Sequence, residues 1–184
     1  MKDKPEPKDS KNIKDAHEYL QECWPTILKR YEKANPGYTL WLTCTHRTPE
    51  MQLILYRKGR TNEGTIPEPR WVVVDAQKVV TNCDGFKKTS PHNEYPANAI
   101  DVCAVNMTTK AVSWEVKHYI ALGEICRSLK LEWGGNWIAL ADLPHIQIGK
   151  TWNSSKHIGG FYPPGKEPLP PPDPDAPKDQ NNVW

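Results

Sequence analysis

Two short runs hold the residues best suited to chemistry. One is Ser90-Pro91-His92, leading to Ala99-Ile100-Asp101; the other is Asp142-Leu143-Pro144-His145. Together they offer two imidazoles, a carboxylate among apolar neighbours and a second acid close to a histidine. Two imidazoles and one carboxylate are the ligand set of an open zinc site. The fourth tetrahedral position is left for water, and a free carboxylate nearby can take that water's proton. A closed structural site needs four ligands, usually with paired cysteines. The five cysteines, Cys23, Cys44, Cys83, Cys103 and Cys126, contain no Cys-x-x-Cys. They are odd in number and scattered, so reduced and mostly buried thiols are expected.

Each residue is a weak signal alone. Asp101 lies between Ile100 and Val102, where a carboxylate is costly unless it is paired or bound to a metal. Strand alternation puts Asp101 and Cys103 on one face and Ile100 and Val102 on the other. His145 opens the run His-Ile-Gln-Ile, in which His145 and Gln147 face away from Ile146 and Ile148. Two strands then each present a ligand on a polar face. A loop histidine, His92, can fold back to join them. Cys103 reads as a small buried residue. Trp133 and Trp137, around a glycine turn, suit core packing or a cleft wall equally.

The elements that must carry these residues follow from periodicity. Apolar residues from Ile13 to Tyr31 fall at helical spacing, with a kink or split expected at Pro25. Asn35-Pro36-Gly37 marks a turn. Tyr38–Thr45 alternates as a strand, with Tyr38, Leu40, Leu42 and Cys44 on one face. Thr48 caps a helix that begins with Pro49 and ends at Gly59. Residues 60–70 read as loop, and Trp71–Asp75 as a short strand or irregular insert. Ala99–Val105 is a strand. Ser113 caps a helix reaching about Lys130, Glu132–Asn136 is a turn, and His145–Gly149 is a strand. The fold class expected is α+β: a small antiparallel sheet carrying the site, packed against helices.

The chain has 184 residues, 38% of them hydrophobic, and a net charge of +2. That length supports one domain with a sizeable core. The charge balance gives no footprint for coating nucleic acid, and no apolar run is long enough for stable membrane insertion. The N-terminus lacks the apolar core of a signal peptide, so synthesis in the cytoplasm is expected. Eight of the last 24 residues are proline, too many for a packed element. The expected organisation is a flexible arm over 1–11, a catalytic domain over 12–162 and a proline-rich tail over 163–184.

Three blocks in this order resemble the zinc peptidases of the D-alanyl-D-alanine carboxypeptidase and L-alanyl-D-glutamate endopeptidase family. The first runs from Arg47-Thr48-Pro49-Glu50 through Gln52, Leu55 and Tyr56 to Gly59-Arg60-Thr61. The second is Ser90-x-His92-Asn93 followed by Pro96-Ala97 and Ala99-Ile100-Asp101. The third is Trp133-Gly134-Gly135-Asn136-Trp137 followed by Asp142-Leu143-Pro144-His145-Ile146-Gln147. The likeness covers about residues 38–149 and is nearest to phage endolysins that cut peptidoglycan stem peptides. The nine-residue gap from His92 to Asp101 is longer than in many relatives. Asn136 stands where an acid is common. The stretch from about Asn62 to Lys78 is also longer than usual and is a candidate lid or flap.

The resemblance implies that His92, Asp101 and His145 bind Zn2+ and that Asp142 is the general base. It implies that Arg47 holds the carbonyl oxygen as it becomes an oxyanion and that Ser90 helps hold substrate beside the metal. The residue chemistry agrees. Zinc lowers the pKa of its water to about 7, within reach of a nearby carboxylate. A guanidinium between a strand and a helix cap is a preorganised charge for an oxyanion, an effect of about 3 kcal/mol. Glu132 is the next candidate for the base. The implied partner is the bacterial peptidoglycan stem peptide, cut by a monomer that acts on the cell wall after release. The alternatives are a D,D-carboxypeptidase or dipeptidase with the same zinc chemistry, and a zinc-containing binding module without hydrolysis. Arg47 and Asp142 argue against the module, since a pure binder needs neither.

Overall fold

A computed structural model describes residues 8–65, 67–138 and 140–149. Seven strands and three α-helices are present among them: α1 Glu18–Ala34, β1 Tyr38–Cys44, α2 Pro49–Arg57, β2 Arg60–Asn62, β3 Trp71–Val73, β4 Ala99–Asn106, β5 Val112–Ser113, α3 Ile120–Ser128, β6 Leu131–Trp133 and β7 His145–Ile148. The main sheet is antiparallel, in the order β1-β4-β7-β6, with β5 also pairing with β4. This is the expected α+β arrangement. None of the described helices is long and apolar enough to cross a membrane.

One face of the sheet makes the core. Leu40, Ile100, Val102, Ala104, Ile146 and Ile148 pack against Leu20, Cys23, Ile27 and Tyr31 of α1 and Leu122, Ile125 and Cys126 of α3. The other face carries the polar residues of β4 and β7, as alternation requires.

Of the kink or split expected at Pro25 in the first helix, the split does not occur. The helix runs unbroken through Pro25. The missing N–H costs about 3 kcal/mol, and the buried stripe Leu20, Cys23, Ile27 and Tyr31 holds the helix across it. The break comes earlier, after a 3-10 turn at Ile13–Asp15. There the His17 amide donates to the Ala97 carbonyl, and the His17 ring caps Tyr19.

Other boundaries also move. Arg60–Asn62 is a strand, β2, rather than loop, and it pairs with β3 at Trp71–Val73, the short-strand alternative read from the sequence; the Arg57 guanidinium lies 4.8 Å from the Trp71 ring centre. Ser113 ends β5 rather than capping a long helix; a 3-10 turn at Val116–His118 precedes a shorter α3. Part of the expected turn at 132–136 is strand β6, followed by a 3-10 turn at Gly134–Asn136. The arm expected over 1–11 is shorter at its inner end. Ser10 exchanges backbone hydrogen bonds with Thr45 and His46, and Asp9 pairs with Arg47. The proline-rich tail over 163–184 lies outside the described residues.

Candidate metal centre

Asp101 is the third residue of β4, and the antiparallel register sets it directly opposite His145 of β7 and Cys44 of β1. Directly opposed side chains on one face lie within reach of each other. The sheet alone therefore brings Asp101 and His145 together. Cys44 arrives there through a bulge: between Leu42 and Cys44 the register slips by one residue. The extra residue turns Cys44 from the core face, where simple alternation placed it, to the face of Asp101.

His92 comes from outside the sheet. It lies on a 3-10 turn, Pro91–Asn93, whose start is a capping box between Ser90 and Asn93. Two bonds fasten this turn to the corner after β1: Arg47 N donates to the His92 carbonyl at 2.8 Å, and Asn93 Nδ2 to the Arg47 carbonyl at 2.9 Å. The eight residues between His92 and Asp101 are taken up by this turn, the following loop, which contains a cis Tyr95–Pro96 bond, and the start of β4.

The tautomers follow from the partners. His92 Nδ1 lies 2.7 Å from the Thr45 carbonyl, which only accepts, so Nδ1 carries the hydrogen. His145 Nε2 lies 2.9 Å from Gln147 Oε1 and donates to it. The nitrogens that remain, His92 Nε2 and His145 Nδ1, face Asp101 Oδ1 at 3.1 and 2.9 Å and each other at 3.3 Å. A tetrahedral zinc ion, about 2.0–2.1 Å from each ligand, sets its ligand atoms about 3.3 Å apart. Three lone pairs converging at this spacing repel unless a proton or cation sits among them. The donor set therefore fits Zn2+.

The charges agree. Burial pushes the Asp101 carboxyl up, but the two histidines outweigh this and hold it well below the usual range. Burial pulls the His145 imidazole down, and Asp101 more than offsets this, so its pKa is raised. Asp142 offers a carboxylate oxygen within 4.8 Å of the Asp101 and His145 donor atoms. Burial, then the charge of Asp101, raises its pKa above the ordinary aspartate value, against the opposing pull of His145, His92 and Arg47. Gly134 makes this approach possible. A Cβ there would lie 2.5 Å from the Asp142 carbonyl oxygen and 3.0 Å from His145 Cβ.

Arg47 closes the far side. Its NH2 donates to Asp101 Oδ2 at 3.2 Å, its Nε to Asp9 at 3.1 Å and its NH1 to Gln52 Oε1 at 3.2 Å. Gln52, fully buried, passes its amide hydrogens to Thr81 Oγ1 and the Cys83 carbonyl. Arg47 thus orients a candidate ligand, a contact the sequence does not announce. Ser90 has a structural duty as well: its hydroxyl accepts from the His92 amide. It also lines a cleft of about 420 Å3 shared with Gln147, Glu94 and Asn98.

Five of the six residues singled out from the sequence, Arg47, His92, Asp101, Asp142 and His145, therefore gather at one place, and the sixth, Ser90, caps the turn that carries His92. Cys44 belongs to the neighbourhood but not to the donor set: its sulfur is 3.7 Å from His92 Nδ1, the nitrogen already engaged by Thr45. Burial pushes its thiol pKa far up. Glu132, the alternative acid, accepts from Trp137 Nε1 at 2.7 Å and Gln147 Nε2 at 2.9 Å. It is a partner of those residues, not a base.

Comparisons with known proteins find likenesses in sequence and in structure. The family model described as D-alanyl-D-alanine carboxypeptidase matches residues 85–148, which include His92, Asp101, Asp142 and His145. The chain is similar to the peptidoglycan L-alanyl-D-glutamate endopeptidase CwlK of Bacillus subtilis (strain 168). The two are 28% identical over 124 residues, which is 62% of this chain and 64% of that protein. It thus spans under two thirds of that relative's length. Among solved structures, the L-Ala D-Glu endopeptidase ChiX of Serratia marcescens matches with a TM-score of 0.47 at 19% identity. The match covers 81% of this chain and 96% of that one.

Proposed function

We propose that the chain, similar over residues 85–148 to the D-alanyl-D-alanine carboxypeptidase family model and in sequence to an L-alanyl-D-glutamate endopeptidase, is a zinc-dependent peptidoglycan peptidase of that family. It cuts the stem peptide between L-alanine and D-glutamate and serves as a phage or prophage endolysin. The observation that carries the reading is the convergence of His92 Nε2, Asp101 Oδ1 and His145 Nδ1 within 3.3 Å, with Asp142 beside them.

His92, Asp101 and His145 would hold the ion. Bound Zn2+ supplies a Lewis acid that activates water and polarises the scissile carbonyl. Asp142 takes the proton of the attacking water and passes it to the leaving amine. Its raised pKa suits that exchange. Arg47 uses three of its five N–H donors on Asp9, Gln52 and Asp101. The others serve the carbonyl oxygen as negative charge builds on it. Ser90, at the rim of the cleft, contacts the substrate backbone.

The test is digestion of purified muropeptides with and without a chelator, followed by mass analysis. The expected products are separated at the L-alanyl-D-glutamate bond, activity is lost with chelator, and added zinc restores it. Release of terminal D-alanine alone would make the protein a D,D-carboxypeptidase. No product under any metal would leave a binding module. For the endolysin role, the protein made inside bacteria should lyse them only once the inner membrane is permeabilised.

Arg47→Lys separates two duties of that residue. Lysine keeps the charge and loses the planar fork. If the main role is at the oxyanion, kcat falls about tenfold to a hundredfold with zinc unchanged. A fall in zinc affinity would instead mark the Asp101 contact as dominant. A change confined to KM would mark a ground-state anchor for a substrate carboxylate.

A further inference from the structure

Behind His145 lies a closed ring of four side chains. His145 Nε2 meets Gln147 Oε1 at 2.9 Å. Gln147 Nε2 donates to Glu132 Oε2 at 2.9 Å, and Glu132 Oε1 accepts from Trp137 Nε1 at 2.7 Å. The Trp137 ring returns to His145, with ring centres 4.9 Å apart. The sheet builds it: Glu132 and Gln147 are direct partners across β6 and β7, and Trp137 follows the glycine turn at the end of β6. Gln147 and His145 are buried.

The ring has a direction. A carboxylate only accepts, and an amide can present either its oxygen or its NH2. Glu132 faces Gln147, so the NH2 of Gln147 must turn to Glu132 and its oxygen to His145. His145 must then carry its hydrogen on Nε2, which leaves the Nδ1 lone pair toward Asp101 and His92. The indole N–H of Trp137 holds the carboxylate in place. We infer that Glu132 is a positioning residue for the metal centre, selecting through Gln147 the tautomer and orientation in which His145 can bind the ion. This rests on the zinc reading above and deepens it. Partners behind a ligand commonly account for tenfold to a hundredfold in metal affinity.

The direction supplies the test. Glu132→Gln sets an amide NH2 against the NH2 of Gln147, which relieves the clash by turning and presents a donor to His145. Gln147→Glu sets two carboxylates against each other. The double exchange, Glu132→Gln with Gln147→Glu, repairs both faults. The amide at 132 accepts from Trp137 and donates to the carboxylate at 147, which accepts from His145. Zinc affinity is measured by competition with a chromophoric chelator, and the absorption of the cobalt-substituted protein reports ligand geometry.

Each single exchange is expected to weaken zinc at least about tenfold, and the double exchange to return within about threefold of the parent. Unchanged affinity in Glu132→Gln would overturn the inference, as would a folded double variant no better than either single one. If the single variants fail to fold, carbon-13 shifts of the His145 ring in the zinc-loaded parent decide. Binding through Nδ1 is expected, and binding through Nε2 would overturn the inference. A parent that takes up no zinc would refute the zinc reading itself. A parent that binds zinc beside an unaffected Glu132→Gln would refute only the role of Glu132.

Discussion

Alanine in place of His92, Asp101 or His145 is expected to leave the protein without stably bound zinc and to lower peptidase turnover about 10³-fold or more. The two remaining ligands hold zinc poorly, and the activation supplied by the metal is several kcal/mol, with each 1.36 kcal/mol worth about tenfold. Elemental analysis of the purified variants checks this. Full occupancy in any one of them removes that residue from the centre. The pKa directions add a dependence on pH. In metal-free protein, once burial is overcome, Asp101 is lowered first by the charge of His92 and then by its hydrogen bond with His145, and His145 is raised chiefly by Asp101. For His145 the folded value lies above the unfolded one. Its contribution to stability is thus full below about 6.5, its ordinary value, and fades as pH rises through the folded value. Zinc competes with that proton, so its binding strengthens over the same interval. The gap in Tm between zinc-loaded and chelator-treated protein should widen from pH 6 to pH 8. A gap that narrows would mean that His145 is not a ligand.

What the sequence makes legible here is what depends on strand alternation. Asp101 among Ile100 and Val102, and His145 before Ile146, declare a polar face on two strands. The pairing of Asp101 with His145 then needs only the antiparallel register. The cap at Thr48 is local chemistry and is found where expected; the capping box at Ser90 is equally local but lies in a stretch that reads as loop. What was hidden depends on distant partners. The bulge that turns Cys44 leaves no mark in the alternating run 38–44. Asp9 lies in a charged stretch with no apolar period, and its place comes from contacts distant in sequence, such as the ion pair with Arg47, 38 residues away. Pro25 reads as a breaker because propensity is local, whereas the stripe that carries α1 past it is tertiary. The β2–β3 hairpin is short and rich in breakers, so periodicity has too few residues to report it. Gln147 and Glu132 show the intermediate case. Alternation puts Gln147 on the site face, but its pairing with Glu132 appears only with the register.

Asp142→Asn is the sharpest test of the chemistry, because Asp142 has two roles open to it by distance. Its carboxylate lies within 4.8 Å of the Asp101 and His145 donor atoms, near enough to join them as a ligand. Three observations favour the base. His92, Asp101 and His145 already form a triangle with edges of 2.9–3.3 Å. The backbone holds Asp142 through the Gly134 turn, its amide donating to the Gly134 carbonyl at 3.0 Å. Its pKa is raised, as suits a group that gains and loses a proton. Asparagine is isosteric and keeps that turn, yet it cannot accept a proton from water. The variant should therefore hold zinc and fold as the parent does while turnover drops by about 10²-fold or more. The acid limb of kcat/KM, present in the parent because Asp142 must be ionised, should disappear with it. As pH falls through the carboxyl's raised pKa the parent loses its base, and the variant has none to lose. Loss of zinc together with activity would make Asp142 a fourth ligand instead. Near-normal turnover would move the base elsewhere, and Glu132, held by Trp137 and Gln147, is badly placed to serve.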